Sequence, residues 1–431
     1  MSAKRFRDPI HGFIEVDLLE SKIIDSEPFQ RLRYIRQLGT SYLVYHGAEH
    51  TRFGHSLGVM HLVSKAFDSA LFNYEMRNGK KLFDDETHQF YKRILRLYAL
   101  VHDVGHPPFS HAGEGVFANG LKHEHFTKRM LHETQISSII NESGDITPEL
   151  IWLIFGAKDT EIIGNDEYKL PDYKFLKSFM DSDLDCDKMD YLLRDSYYCG
   201  VNYGRYDVNR LVESLNVYTE NNIMQLAVER GGLHAFEEFV SARYFMFIQV
   251  YFHRTRRYFD YVLTSLLKET LGKQITSDFP LDSYLNRTDG YVFNEIRALK
   301  DSKNEHAINF CNRTVFPCVY ETPSQSTTAD RESFNLIHNS IKKQFSGMHI
   351  FDDSADKLAT EMPIIEHFNS DDGKSIPILT KHSTVPRSLL SESNLLSGLN
   401  RPISIRRIYV EQTNADKVKK YIQDISSPLE E

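Results

Sequence analysis

The stretch His102-Asp103-Val104-Gly105-His106-Pro107-Pro108-Phe109-Ser110-His111 gathers imidazoles and a carboxylate where an apolar helical run stops. A charge beside an imidazole at the end of a buried helix is costly to desolvate unless something offsets it, and a metal ion commonly does. His55 and Asp187 can complete a coordination sphere, so that His55, His102, Asp103 and Asp187 make a set of two imidazoles and two carboxylates. Mixed nitrogen and oxygen donors suit Mn, Fe, Zn or Mg, and four protein ligands leave positions for water and phosphate oxygens. A divalent ion so held would activate water near neutral pH and offset charge developing on a phosphoryl group. Taken singly, His55 also fits a satisfied core histidine, and Asp187 a solvated helix carboxylate.

Three helices must carry these groups. Ile94, Leu97, Tyr98 and Val101 recur at helical spacing and predict a buried helix ending at His102, stopped by Gly105, Pro107 and Pro108. A helix starting at Thr51 would place His55, Val59, Leu62 and Ala66 along one face. Residues 183–198 set Asp187, Tyr191, Arg194, Asp195 and Tyr198 on a polar helical stripe. Around these, Asp8-Pro9-Ile10-His11-Gly12 marks a turn before a short strand at 13–16. Residues 25–38 predict one helix with Phe29, Leu32, Ile35 and Leu38 on its apolar stripe, and 41–50 a loop or short strand pair. From 112 to 200 a succession of helices is expected, with breaks near 144–148 and 164–171. Residues 235–272 predict a long aromatic-rich helix. After about 275 Ser, Asn, Thr and Pro become more frequent, and strand-like alternation appears at 315–320 and 403–410.

With 431 residues, 41% hydrophobic and 26% charged, the chain can bury a sizeable core, and a large domain with a smaller lobe is expected. No apolar run approaches membrane-spanning length and the basic start lacks a hydrophobic signal region, which predicts a soluble, cytoplasmic protein. Cys186, Cys199, Cys311 and Cys318 show no metal-site spacing, so a metal must rely on His and Asp. A net charge of −9 argues against a broad nucleic-acid surface. Local basic groups (Arg31, Arg33 and Arg36; His253, Arg254, Arg256 and Arg257; Arg406 and Arg407) suit small polyphosphates better than long polyanions.

The order H…HD…D resembles the signature of the HD-domain phosphohydrolases, and more closely the sterile-alpha-motif and HD-domain dNTP triphosphohydrolases and their bacterial relatives. The motifs carrying the resemblance are Asp8-Pro-Ile-His-Gly12, Phe29-Gln-Arg-Leu-Arg-Tyr-Ile-Arg-Gln-Leu-Gly39 and Arg52-Phe-Gly-His-Ser-Leu-Gly58. To these are added residues 102–111, His123-Glu124 and Asp185-Cys-Asp-Lys-Met-Asp-Tyr-Leu-Leu-Arg-Asp195. The resemblance covers roughly residues 4–260. The resemblance implies a mainly α fold with an HD helical core over 1–274 (metal site at about 50–200), and the composition and alternation after about 275 predict a smaller C-terminal α+β lobe over 275–431.

It further implies that His55, His102, Asp103 and Asp187 hold the metal, and that His106, His111 and His123 surround the triphosphate. His123 would be the general acid, oriented by Glu114; an imidazole suits that role because its pKa lies near operating pH. Arg52, Lys188 and Tyr191 correspond to phosphate-holding residues, Asp195 and Arg243 to nearby supports, and Gln37, Leu38 and Tyr251 to residues around the deoxyribose. Asp25, Gln30 and Arg33 correspond to an activating guanine-nucleotide site between subunits. Tyr45, Arg210, His253 and Arg254 correspond to a second nucleotide site beside it. The expected activity is hydrolysis of a dNTP to deoxynucleoside and triphosphate by a homotetramer activated by GTP or dGTP. The competing expectations are an HD phosphohydrolase for another nucleotide, such as (p)ppGpp or a nucleoside monophosphate, and a nucleotide-sensing or nucleic-acid-binding regulator. Within the superfamily, His106 stands where cyclic-dinucleotide phosphodiesterases have lysine, and no Gly-Tyr-Pro follows.

Overall fold

A computed structural model describes residues 4–156, 173–221, 223–271, 275–358, 376–381, 385–388, 392–399 and 401–426. Helix Arg52–Asn78 is its centre. Extended Thr51 precedes it, and Gly79 ends it in the left-handed region at φ 68°, where a side chain would be strained. Its apolar face meets helix Asp85–Val101, helix Cys186–Cys199 and strand Leu215–Glu220. Helix Asp85–Val101 begins where the Asp84 carboxylate accepts from the Thr87 N–H, and His102 closes it. Helix Cys186–Cys199 is capped by Asp185, which accepts from the Lys188 N–H, and is terminated by left-handed Gly200. The fold is mainly α, as expected.

Nine short strands flank the helices among the described residues. β1 (Lys4–Asp8) and β2 (Gly12–Val16) form an antiparallel hairpin in the register Asp8 to Gly12. β3 (Leu215–Glu220), β4 (Ile223–Glu229), β7 (Pro377–Leu379) and β8 (Arg387–Ser388) form one sheet in that order, β4 and β7 running parallel. β5 (Cys318–Glu321), β9 (Ile403–Val410) and β6 (Ile350–Lys357) form an antiparallel sheet with β9 central. The strands expected near 315–320 and 403–410 are thus present.

Several expected elements differ. Residues 25–38 are not one helix: Leu18–Ile24 ends at Asp25, Glu27–Gln30 restarts with Pro28 in its first turn, and Arg31–Tyr34 is a 3₁₀ turn. Proline supports a helix start but removes an interior hydrogen bond, so the apolar stripe is divided. Residues 35–37 then pair with 50–52, through Gln37 N–H to His50 C=O and Arg52 N–H to Ile35 C=O, both 3.0 Å. Residues 41–50 hold no strand pair; the described structure there is a 3₁₀ turn, Gly39–Leu43, and loop. The helix expected over 235–272 is Leu233–Met246, a π turn at Phe247–Tyr251, and then Arg254–Thr270. His253 starts the last helix by accepting from the Thr255 N–H. Helix breaks occur at Gly144 and Thr147, while the break expected at 164–171 lies outside the described residues.

The junction expected at 274/275 adjoins residues 272–274, outside the described residues. Tyr284, Val292, Ile296, Ala307 and Phe310 share one buried cluster with the helices around 52–271. A second cluster, Phe334, Ile337, Ile341, Ile408, Val410, Val418 and Ile422, joins helices Thr328–Gln344 and Ala415–Ser426 to β9.

Candidate active site

His55, His102 and Asp187 converge from three different helices, with one ligand atom of each within 4.8 Å of the others. The Asp187 Oδ1 lies 2.9 Å from His55 Nε2 and 3.9 Å from His102 Nε2. Hydrogen bonds on the far side of both rings fix their orientation. His102 Nδ1–H donates to the Ala99 carbonyl (2.8 Å), and His55 Nδ1–H donates to the Asp190 carboxylate (2.8 Å). Both Nε2 atoms therefore face the shared space, and His102 Nε2 is buried with no hydrogen-bond partner. Burial opposes charge on His55, yet Asp187 and Asp190 outweigh it and raise the imidazole to about 10. The place draws positive charge, and this donor set fits a divalent ion. Asp103 stands at its edge, 3.5 Å from His102 Nε2 and 3.7 Å from His55 Nε2, while Arg52 Nη1 donates to it at 2.5 Å.

A second group abuts the first. His106, His111, Glu114 and His123 also place ligand-capable atoms within 4.8 Å of one another. Glu114 Oε1 accepts from His123 Nδ1 at 2.6 Å, and Glu114 Oε2 lies 3.3 Å from His111 Nδ1. Burial would raise the Glu114 pKa, but the hydrogen bonds from His111 and His123 hold it far below the usual carboxylate range. His123 stacks on His106 with ring centroids 3.7 Å apart, and His106 Nε2 meets Asp103 Oδ1 at 3.2 Å. Burial, Arg52 and His123 hold His106 well below its ordinary pKa, against the pull of Asp103. Asp103 and His106 thus join the two groups. Gly105 allows the close approach: a Cβ there would lie 2.2 Å from the Thr127 nitrogen in helix His123–Glu133.

The other expected residues fall into three places. Arg52 is buried and donates to Ser110 Oγ (2.8 Å), and Lys188 donates to Asp185 Oδ2 (2.5 Å) and to the Ser182 carbonyl. Tyr251 ends the π turn with its hydroxyl on Asp195 Oδ2 (2.7 Å), Asp195 Oδ1 takes His50 Nε2 (2.8 Å), and the Tyr191 and Tyr251 rings lie 6.2 Å apart. Arg243 reaches Asp183 (3.2 Å), whereas Gln37 and Leu38 are buried where 35–37 pairs with 50–52. Asp195 is buried behind Tyr251, which makes it a support for that ring rather than an exposed contact.

Of the residues expected at the regulatory site, Asp25 is exposed and pairs with Lys4 at 2.9 Å. Gln30 Oε1 accepts from Arg33 Nε at 2.9 Å, and Arg33 stacks 3.5 Å above the Phe53 ring. Arg33 and Phe53 line a cleft of about 420 Å³ together with Arg7, His50 and Arg194. Tyr45 and His253 face each other with ring centroids 5.9 Å apart; Arg254 starts its helix; Arg210 donates to the Gly231 carbonyl at 2.9 Å.

Sequence reasoning missed the groups behind the ligands. Asp190 accepts from His55, His11 (2.6 Å) and Arg194 (2.8 Å), and Arg194 also pairs with Asp8 (2.9 Å). The spacings Asp187–Asp190 and Asp190–Arg194 were a usable signal, since both face along one helix. Asp289 accepts from the backbone N–H of Phe109 at 2.7 Å and had no local signal. Burial pushes Asp289 up to about 6, against that N–H and those of Arg36.

Residues 52–190 match the HD domain and 206–425 the HD associated region. The chain is 32% identical to an uncharacterized protein, YwfO, of Bacillus subtilis, over 78% of this chain and 76% of that one. It is 31% identical to a Dictyostelium discoideum protein named deoxynucleoside triphosphate triphosphohydrolase SAMHD1 homolog, over 80% of this chain and 66% of the relative. The chicken SAMHD1 deoxynucleoside triphosphate triphosphohydrolase is 32% identical over 51% of this chain and 38% of its own length. A crystal structure of a hypothetical protein from Aquifex aeolicus superposes with a TM-score of 0.76 at 30% identity, covering 97% of this chain and 99% of that one. A phosphohydrolase structure from Bacteroides thetaiotaomicron shares the fold, with a TM-score of 0.71 at 24% identity over 95% and 100%.

Proposed function

The chain belongs to the HD-domain phosphohydrolase family, and from that premise we propose that it hydrolyses deoxynucleoside triphosphates to deoxynucleoside and triphosphate. The observation that carries this reading is the contact, through Asp103 and His106, between the His55–His102–Asp187 trio and the Glu114–His123 pair. One group suits the attacking side of a phosphoryl transfer and the other the leaving side. His55, His102 and Asp187 would hold a divalent ion, with Asp103 as a fourth donor, and such an ion lowers the pKa of water and offsets phosphoryl charge. Water attacks the α-phosphorus, the bond from that phosphorus to the 5′-oxygen breaks, and His123 gives that oxygen its proton. Glu114 engages His123 Nδ1, which leaves Nε2 as the proton-delivering atom.

Arg52, Lys188 and Tyr191 would meet the phosphates, with His106 and His111 beside them. The Tyr251 ring, anchored through Asp195 and His50, would press on the sugar where a 2′-hydroxyl would otherwise sit. Gln37 Oε1, buried without a partner, supplies an acceptor for a sugar hydroxyl. Arg243 steadies this wall through Asp183. GTP or dGTP at Asp25, Gln30 and Arg33, with Tyr45, Arg210, His253 and Arg254 forming the adjoining site, would promote a homotetramer and raise turnover together. No described helix is long and apolar enough to cross a membrane, and all four cysteines are free, which accords with a reducing cytoplasm.

The test is incubation with each dNTP, NTP and (p)ppGpp in Mn or Mg, with and without GTP, and separation of products by ion exchange. Triphosphate and deoxynucleoside are expected. Release of diphosphate or orthophosphate, or turnover of (p)ppGpp alone, would replace this reading with the other phosphohydrolase one.

A further inference from the structure

Phe109 and Ser110, between His106 and His111, both take left-handed backbone angles, with φ of 59° and 58°. Two consecutive side-chain-bearing residues seldom stay there unless their surroundings hold them. What holds them lies outside the HD match, in a short segment of the associated region. Asp289, 3% exposed, accepts from the Phe109 N–H at 2.7 Å through one oxygen and from the Arg36 N–H at 3.0 Å through the other. The Tyr284 hydroxyl donates to the Gly105 carbonyl at 2.7 Å. Arg31 bridges the His106 and Arg287 carbonyls, at 2.8 Å to each. Ser110 completes the frame by donating to the Arg36 carbonyl and accepting from Arg52, itself bound to Asp103.

We propose that Asp289 is a positioning residue for catalysis: it fixes the left-handed turn that sets His106 and His111 against His123, and ties that turn to Arg36, next to Gln37 and Leu38. It belongs to neither cluster of ligand-capable side chains and acts through the Phe109 and Arg36 backbone. A carboxylate suits the place because its two oxygens accept from two N–H groups that point at it from separate segments. An amide of the same shape offers one oxygen and sets an N–H against the other donor. The associated region therefore contributes to the chemistry by shaping the catalytic loop, in addition to its own packing. This rests on the proposed hydrolysis for its kinetic arm only.

The experiment compares the full-length, metal-loaded wild type with Asp289→Asn and Asp289→Ala, using hydrogen-exchange mass spectrometry, metal analysis and steady-state kinetics on a dNTP. Faster exchange confined to peptides covering 105–112 is expected, with bound metal unchanged. A fall in kcat of about 10–100-fold, with KM within a few fold, should accompany it, since small misplacements of reacting groups cost that much. Asp289→Asn should lie between wild type and Asp289→Ala. Asp289→Asn carries the test if the alanine variant does not fold. Unchanged exchange at 105–112, or loss of protection spread across the whole chain together with metal loss, overturns the proposal. If wild type hydrolyses no dNTP, the proposed function fails on its own, and the exchange pattern still decides whether Asp289 holds this loop.

Discussion

The two halves of the site are built differently. His55, His102 and Asp187 stand on or at the ends of regular helices, each with defined caps and a stripe in the main core. His106, His111 and Glu114 stand on a loop and a 3₁₀ turn whose left-handed entry depends on contacts from residue 289. A cation site needs ligand atoms to converge within a few ångströms, and helices supply that rigidity from local hydrogen bonds. The proposed proton donor, His123, starts helix His123–Glu133, and it is the loop that sets it, through Glu114 on its Nδ1 and His106 stacked on its ring. The price of the loop is dependence on distant residues. Asp103 and His106 are adjacent to both halves, so under the proposed mechanism they are where metal binding and acid catalysis would influence each other.

The sharpest way to break this comparison is Asp187→Ala. The helix Cys186–Cys199 is capped by Asp185 and held by its buried apolar face, so the fold should persist while bound metal and turnover are both lost. Circular dichroism and metal analysis of the purified variant decide it. Full occupancy with normal activity would remove the trio from the mechanism. Next in size, His123→Ala should retain the metal and the substrate affinity and lower the single-turnover rate by roughly 10²–10⁴-fold, the usual worth of a positioned acid. Lost affinity with an unchanged chemical step would make His123 a binding residue, and the division into two halves would then be wrong.

The same division explains what could be read from the chain. The helices that carry His55, His102 and Asp187 were legible because apolar period and caps are local properties, whereas their convergence came from the resemblance of the ordered motifs to the HD family. β2 and β9 were accessible through alternation, whereas β1, the partner of β2 in the hairpin, was not read from the sequence. The division of 25–38 at Pro28 was obscured because Phe29, Leu32, Ile35 and Leu38 continue an apolar period that tertiary burial uses even without a continuous helix. The π turn at 247–251 was hidden likewise, since Phe247, Ile248 and Val250 prolong the pattern. Asp289 carries no local sign of its role, because its partners Phe109 and Arg36 are about 180 and 253 residues away in sequence.

The smallest effect should come from Asp190, and it tests whether the metal half is as self-contained as its helices suggest. Asp190 is fully buried, with His55 on one oxygen and His11 of the β1–β2 turn on the other. Arg194 bridges it to Asp8, so two residues of the hairpin turn lean on the group that orients a ligand. Gly58 makes the approach possible, since a Cβ there would fall 1.9 Å from Asp190 Oδ1. Burial alone would raise the Asp190 pKa, but Arg194 and the two histidines hold it well below the carboxylate range, so it is an anion at any working pH. Asp190→Asn preserves shape but removes the charge that balances Arg194 and strengthens the His55 lone pair. Groups that orient a ligand in this way are typically worth about 10–100-fold in metal affinity. Titration against a chromophoric chelator should show that loss, and activity should return when free metal is raised to saturation. If affinity is unchanged while activity falls, Asp190 acts on the catalytic loop instead, and the two halves are less separate than their architecture indicates.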